Sequence, residues 1–150
     1  MTESNGKVAL ITGADRGIGF ETAKELGAQG YTVLIGSRNL ERGQNAVDKL
    51  KAMDITADTL QIDVTQRYTI QNAAGQINKM YHKLDVLINN AGIAMADDVL
   101  PSTVSEEVLR KTFDTNFFGS FVVTQIMLPL IRKSDAVSYT HLTLPTICSV

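Results

Sequence analysis

The fold of this chain follows from residues 7–19, which read KVALITGADRGIG. The apolar run 7–12 predicts a buried strand, and residues 17–29 repeat apolar positions with the period of an amphipathic helix. The turn between them contains three glycines, Gly13, Gly17 and Gly19. Glycines in a strand-to-helix turn let the backbone approach a ligand, and a helix N-terminus offers free N–H groups to a phosphate. The stretch therefore predicts an anion-binding turn at the start of a βα unit.

The rest of the chain alternates short apolar runs with longer amphipathic segments. We predict further strands at 31–36, 56–62 and 85–89, and further helices at 40–53, 66–82 and 105–132. Continuous apolar strands that each lead into a helix indicate parallel βαβ units with both sheet faces covered. Right-handed crossovers then predict an α/β fold with a doubly wound parallel sheet. We expect the strand order 3-2-1-4 and one domain over residues 1–135.

The composition excludes several classes of protein. The 150 residues are 44% hydrophobic and 20% charged, with a net charge of −2, which is ordinary for one globular domain. This charge gives no electrostatic reason to bind nucleic acid or an anionic membrane. No apolar stretch reaches the roughly 18 uncharged residues that a membrane helix needs. Cys148 is the single cysteine, so we expect no internal disulfide, no cysteine metal cluster and a cytoplasmic location.

Two further motifs accompany the glycine turn. Residues 89–92 read NNAG after the fourth predicted strand, and Asn116 lies within TNFFG at 115–119. The glycine spacing, G-x-x-x-G-x-G, is a variant of the G-x-G-x-x-G dinucleotide fingerprint. Together, over about residues 7–134, the three motifs resemble the classical short-chain dehydrogenase/reductase family. Details such as RGQ at 42–44 look closest to its carbonyl-reductase branch. The resemblance implies a Rossmann-type fold and a dinucleotide cofactor.

The end of the second predicted strand bears on which dinucleotide is bound. A domain that prefers NAD usually carries an acid there, which bonds the ribose 2′-hydroxyl. Here Ser37, Arg38 and Asn39 follow the strand with no acid among them. Arg38 can offer a planar fork of donors to a 2′-phosphate, and Arg16 in the glycine turn can reach the same group. Each arginine alone is more typical of a solvated surface, but their joint placement predicts NADP (NADPH).

Other cofactor contacts are implied by the resemblance. Asp63 and Val64 follow the third strand, where the family's acid contacts the adenine; the alternative is that Asp63 caps the next helix. The family's asparagine at Asn89 mainly holds the sheet together near the cofactor, while Ala91 and Gly92 leave room for its ribose. The predicted cofactor-binding residues are Gly13, Asp15, Arg16, Gly17, Ile18, Gly19, Ser37, Arg38, Asn39, Asp63, Val64, Asn89, Asn90, Ala91 and Gly92. No metal ligand is predicted.

The resemblance also implies a catalytic tetrad. The family transfers a hydride between the nicotinamide and a carbonyl or alcohol carbon, with a tyrosine as general acid, a lysine, a serine and an asparagine. Asn116 is the tetrad member that we identify here; the alternative is a polar residue bonded to its own helix. Tyr139 has Thr143 four residues further on, so Tyr-x-x-x-Lys is missing, and no fifth-strand pattern leads into Ser138. We reject both as catalytic and expect the 150-residue chain to be inactive.

The last residues differ in character from the rest. Residues 136–146, AVSYTHLTLPT, resemble a translated sequencing-library adapter. We therefore interpret 136–150 as a non-native tail in which His141 and Cys148 have no evolved role. Without a fifth strand, the apolar strand at 85–89 would form an exposed sheet edge, which predicts a poorly soluble chain.

Three hypotheses about function follow. The first is an NADP-dependent oxidoreductase acting on a small carbonyl or alcohol substrate, the second is a non-catalytic dinucleotide-binding module, and the third is that the 150-residue chain is not a stable polypeptide. The downstream reading frame of the parent gene discriminates among them. The helix at 105–132 carries an apolar stripe that we expect to be mostly core, Phe117, Phe118, Phe121, Val122, Ile126 and Leu130. The resemblance implies a homo-oligomer through this helix.

Overall fold

A computed structural model describes residues 3–94, 100 and 102–135, and the backbone of 138–141. The strands are β1 (Val8–Thr12), β2 (Thr32–Ser37), β3 (Ala57–Gln61), β4 (Val86–Asn89) and β5 (Ser138–His141). The helices are α1 (Gly17–Ala28), α2 (Leu40–Lys51), α3 (Arg67–Tyr81), α4 (Glu106–Phe113) and α5 (Ser120–Ile131), with a π-helical segment, Asp114–Gly119, between the last two. The predicted alternation of strands and helices is confirmed, with ends that differ by a few residues.

All strands pair in parallel, in the order β3-β2-β1-β4-β5. The predicted order 3-2-1-4 and the doubly wound α/β sheet are therefore confirmed. Ile11 of β1 lies opposite Ile35 of β2 on one side and Ile88 of β4 on the other. Because parallel strands end at the same edge, the turns after β1, β2, β3 and β4 meet along the carboxyl edge of the sheet.

The expectation of an exposed β4 edge is wrong. The backbone of Ser138–His141 pairs with Val86–Asn89, and the three apolar residues of β4 are at most 8% exposed. Residues 138–141 have no continuous apolar run, so the sequence pattern did not predict this strand. A strand can nevertheless join an open sheet edge through backbone hydrogen bonds alone. Ser138 pairs with Val86 at the amino end of β4, opposite the carboxyl edge. Its rejection as a catalytic residue therefore rests on register and not on the absence of a strand.

The core consists of two apolar layers, one on each face of the sheet. Alternate residues such as Leu10, Leu34 and Leu87 pack against α3 and α5, while Ile11 and Ile35 pack against α1 and α2. Side chains of successive strand residues point to opposite faces, so continuous apolar strands supply both layers. This two-sided burial holds the strand ends, and the turns that follow them, in fixed relative positions.

The apolar stripe predicted for the last helix is only partly buried. Phe117, Phe118 and Phe121 are 61%, 54% and 60% exposed, so the expectation that they are core is wrong. Val122 and Ile126 are half-buried, and the core-facing residues are Val123, Met127, Leu130 and Ile131. A π-helical turn inserts one extra residue, which changes the phase of α5 relative to α4. A regular period of 3.6 residues could not predict that shift.

Candidate functional site

A cleft of about 270 Å³ lies at the carboxyl edge of the sheet. The strand order reverses between β1 and β4, and doubly wound sheets bind their ligands at such a point. The predicted residues that line the cleft are Gly13, Asp15, Arg16, Gly17, Ile18, Ser37, Arg38, Asn39, Asp63, Val64, Asn90, Ala91 and Gly92. The structure thus brings together residues from four separate turns.

Two predicted residues, Gly19 and Asn89, lie behind the cleft wall. The cleft also contains residues that the sequence interpretation missed, Arg42, Ile62, Thr65, Ile93 and Thr115. Arg42 had a usable signal, because it lies one helical turn beyond Arg38 at the start of α2. The described residues contain no cluster of His, Cys, Asp and Glu side chains suited to a metal ion. No helix in the described part of the chain has the length and apolar character needed to cross a membrane.

The three glycines of the turn have different roles. Gly13 and Gly17 have φ angles of +63° and +62°, a region that side chains with a Cβ rarely adopt. A Cβ on Gly19 would overlap Nδ2 of Asn90 and lie 2.8 Å from the carbonyl oxygen of Gly13. At Gly17, by contrast, no atom lies within 4 Å of such a Cβ. Gly19 therefore permits close packing inside the protein, and Gly17 leaves open space at the cleft.

Asn90 locks the glycine turn to the end of β4. Its Nδ2 donates to the carbonyl oxygens of Thr12 and Gly13, each at 3.1 Å. Oγ1 of Thr12 accepts in return from the backbone N–H groups of Asn90 (3.1 Å) and Ala91 (3.0 Å). These bonds join segments 77 to 79 residues apart. They provide hydrogen-bond partners for buried polar groups at the turn and hold the two walls of the cleft together.

The N-termini of α1 and α2 both point into the cleft, but only one is capped. Arg16 precedes α1 in extended conformation, makes no side-chain cap, and no acid lies in the first turn. The first N–H groups of α1 are thus available to an anion. At α2, Oδ1 of Asn39 accepts from the N–H of Arg42 at 2.9 Å, and Ser37 Oγ donates to the carbonyl of Asn39. Ser37 and Asn39 therefore shape the β2–α2 turn.

Charged side chains cluster at the β2 side of the cleft. Arg16, Arg38 and Arg42 line it together with Asp15. The Asp15 carboxylate lies 3.9 Å from Nε of Arg42, measured to Oδ2. Asp15 is 14% exposed in its side chain and Arg42 51%. The cleft is thus lined by three arginines and two aspartates, Asp15 and Asp63, of which Asp15 pairs with Arg42.

Asp63 is not the cap of α3, so that alternative is wrong. The N-cap residue is Gln66, which makes no side-chain cap bond. Oδ1 of Asp63 instead accepts from the backbone N–H and the hydroxyl of Thr65, at 2.9 and 2.6 Å. Oγ1 of Thr69 accepts from the backbone N–H of Asp63 at 3.0 Å. Asp63 therefore lies in a closed turn at the cleft rim, with its carboxylate held locally.

Asn116 lies in the π-helical segment, outside the residues that line the cleft, and its side chain bonds the loop after β4. Its Oδ1 accepts from the N–H of Ile93 and its Nδ2 donates to the carbonyl of the same residue, both at 2.8 Å. The alternative of a side chain bonded to its own helix is therefore wrong. Oγ of Ser120 donates to the carbonyl of Asn116 at 3.2 Å. Asn89 ties β4 to α5 through a 3.1 Å bond from Nδ2 to Oγ1 of Thr124.

A parallel α/β sheet with a glycine turn at its point of strand reversal defines a dinucleotide-binding domain. Residues 7–137 match the family model described as short chain dehydrogenase, and the chain belongs to the short-chain dehydrogenase family. The predicted family resemblance is thereby confirmed.

Relatives and solved structures extend this comparison. The chain is 40% identical over 129 residues to short-chain dehydrogenase anuI of Penicillium roqueforti (strain FM164), covering 85% of this chain and 50% of the relative. It is 40% identical over 136 residues to carbonyl reductase (NADPH) 1 of Mus musculus, covering 89% and 48%. A crystal structure of an actinorhodin polyketide ketoreductase variant with NADPH superposes with a TM-score of 0.78 at 31% identity, covering 85% and 48%.

These matches leave part of each relative uncovered. The chain spans about half the length of the curated relatives that it matches. A metagenomic short-chain oxidoreductase in complex with NADP, with a TM-score of 0.83 at 23% identity, covers 94% of this chain and 63% of that one, and it supports the fold alone. The NADP prediction agrees with the carbonyl reductase and the ketoreductase, which both name NADPH.

Proposed function

We propose that this chain is the NADP(H)-binding part of an oxidoreductase that interconverts a small carbonyl compound and its alcohol. The observation that carries the proposal is the group of arginines at the end of β2, where Arg38 and Arg42 line the cleft and no acid follows the strand. A guanidinium offers paired donors that suit a phosphate dianion. The relative named carbonyl reductase (NADPH) 1, of which this chain covers 48%, supports the same conclusion.

Each part of such a cofactor has candidate partners among the residues of the cleft. The uncapped N-terminus of α1 would hold the pyrophosphate, with Gly17 leaving space for it. Arg38 would hold the 2′-phosphate, and Asp63 and Val64 would lie beside the adenine. Ala91, Gly92 and Ile93 would line the nicotinamide ribose, with the Ile93 backbone held by Asn116. The bound nicotinamide supplies or accepts the hydride in this family's chemistry.

The experiment that tests the proposal is the replacement Arg38→Met, which keeps the length of the side chain and removes its charge. We expect NADPH binding, measured by isothermal titration calorimetry, to weaken roughly 30-fold, because a charged hydrogen bond contributes about 1.5–3 kcal/mol. NADH binding should change less than about twofold, since it lacks the 2′-phosphate. Arg67→Met, an exposed arginine at the start of α3, is the matched control. An equal loss for both nucleotides would contradict the assignment of Arg38.

We also propose that the 150-residue chain does not turn over substrate. It contains no Tyr-x-x-x-Lys, so the general acid of the family's chemistry is missing from it. The expected result is no carbonyl-dependent loss of NADPH absorbance above the rate without protein. Turnover that disappears in Asn116→Ala would show that this chain supplies its own acid.

The second candidate is a dinucleotide-binding module without chemistry, which the same cleft would also support. We propose that 136–150 is a non-native tail, so the parent reading frame decides between the candidates. Genomic DNA that encodes residues 136–150 themselves, with codons other than those of the adapter, and continues in frame would contradict the tail proposal. A homo-oligomer through the exposed Phe117, Phe118 and Phe121 face, and a cytoplasmic location, are part of the proposal for the parent protein.

A further inference from the structure

We propose that Asp15 is a specificity-determining residue that limits how strongly the cleft prefers NADPH over NADH. The proposal rests on the NADP site proposed above. Arginines at the end of β2 favour the cofactor that carries the extra phosphate, and Asp15 opposes them from the other side of the same cleft. Its effect is to neutralise part of their charge.

The geometry places this carboxylate among the arginines and not in bulk solvent. Asp15 belongs to the glycine turn, lines the cleft, and is 14% exposed in its side chain. Its Oδ2 lies 3.9 Å from Nε of Arg42. The backbone of Arg42 is fixed at the start of α2, because its N–H bonds Oδ1 of the α2 cap, Asn39, at 2.9 Å. Asp15 therefore reaches from the turn after β1 to a cation that is positioned by α2.

The charges predict the direction of the effect. A 2′-phosphate near Arg38 would carry close to two negative charges and would be repelled by a carboxylate in the same cleft. The ion pair with Asp15 also engages Arg42, so Arg42 offers less of its charge to the phosphate. NADH and NADPH share the pyrophosphate, so any repulsion of that group by Asp15 acts on both nucleotides. Only NADPH carries the 2′-phosphate, and Asp15 thus lowers the affinity for NADPH more than the affinity for NADH.

The replacement Asp15→Asn tests this inference in the 150-residue chain. We expect the Kd for NADPH to fall about fivefold at low salt, because one unit charge near the cleft is removed and Arg42 is released. The Kd for NADH should fall clearly less, so that the ratio of NADPH to NADH affinity rises. Raising the salt concentration should reduce the NADPH gain, since screening weakens the repulsion that the carboxylate exerts. Asp54→Asn is the matched control, as it makes the same charge change at an exposed turn with a φ of +59°, which asparagine tolerates.

A second pair of variants separates the ion pair from a general charge effect. Arg42→Met should weaken NADPH binding about twofold in the wild-type background, because it leaves the Asp15 carboxylate unpaired but removes no direct bond from Arg42 to the phosphate. In the Asp15→Asn background the same change should cost about fivefold. Equal losses in the two backgrounds would show that the pair does not compete with the phosphate.

The outcomes distinguish this inference from the function on which it rests. Weaker NADPH binding in Asp15→Asn would mean that Asp15 orients Arg42 for the phosphate, which overturns the inference but keeps the NADP site. An unchanged ratio of NADPH to NADH affinity would overturn it as well. If the wild-type chain shows a cooperative thermal melt but binds neither nucleotide, the proposed function itself fails.

Discussion

Replacing Gly19 with alanine is expected to destabilise the chain by about 3 kcal/mol and to abolish detectable NADPH binding. The added Cβ would overlap Nδ2 of Asn90 and lie 2.8 and 2.9 Å from backbone atoms of Gly13 and Ala14. The backbone atoms, and an amide that is held by two hydrogen bonds, cannot move aside at low cost, so the turn must open. Opening it breaks the Asn90 bonds to Thr12 and Gly13, which leaves buried carbonyls without partners.

Two other glycines provide matched controls for this substitution. In Gly17→Ala the added Cβ has no atom within 4 Å, but alanine must adopt a φ of +62°. We therefore expect the free energy of unfolding to fall by about 1 kcal/mol. Gly75 lies within α3 with no atom within 4 Å of its added Cβ, and alanine there should stabilise by about 0.5–1 kcal/mol. Urea denaturation of the three variants measures the order of their free energies of unfolding. A Gly19→Ala variant within 0.5 kcal/mol of the wild type would show that the turn adapts to a side chain.

Replacing Asp85 with alanine is expected to lower the free energy of unfolding by about 3 kcal/mol. Asp85 is 2% exposed and joins three segments of the chain. Its carboxylate accepts from the N–H of Val8 at 2.8 Å, from Nζ of Lys83, and from Oγ of Ser134 just after α5. Alanine would leave the buried N–H of Val8 without its acceptor. Asp48→Ala, at an exposed position on α2, should change stability by less than about 0.5 kcal/mol.

The contribution of Asp85 to the free energy of unfolding should also decrease at low pH. Burial alone would raise the pKa of this carboxyl, but the bonds from Ser134, Val8 and Lys83 outweigh burial and hold it below its usual value of 3.8. A carboxyl with a lowered pKa in the folded state stabilises that state fully at any pH above its unfolded-state pKa. This stabilisation is lost as the pH falls through the folded-state pKa. The difference between wild type and Asp85→Ala should thus be full above about pH 5 and shrink below about pH 4. A difference that stays constant down to pH 2 would show that the ionised carboxylate is not responsible.

Local patterns were sufficient for the order of elements and for much of the cleft. The apolar runs predicted β1 to β4, and the turn residues after these strands, such as Arg38 and Asp63, were found because each follows a strand directly. The carboxyl ends of parallel strands meet at one edge whatever the loops contain. The position of a residue directly after a strand was therefore enough to predict that it lies in the cleft, without knowledge of its contacts.

Contacts between distant segments left no such signal. Asp85 and Val8 are 77 residues apart and Asn116 and Ile93 are 23 apart, and nothing in the local sequence of either partner indicates the other. The ion pair of Asp15 with Arg42 joins the turn after β1 to α2, so the sequence placed Asp15 in the cofactor site without indicating its partner.

The sequence by itself predicted the doubly wound sheet and the glycine turn and, with the family resemblance, the strand order from β3 to β4 and NADP as the proposed cofactor. These depend on hydrophobic period, glycine positions and the residues that follow each strand, which are all local properties. Only the tertiary structure decided that a fifth strand covers β4, that the π-helical turn exposes the phenylalanines, and that Asp15 faces Arg42. Each of these depends on how segments far apart in the chain pack together, and packing follows from the whole fold.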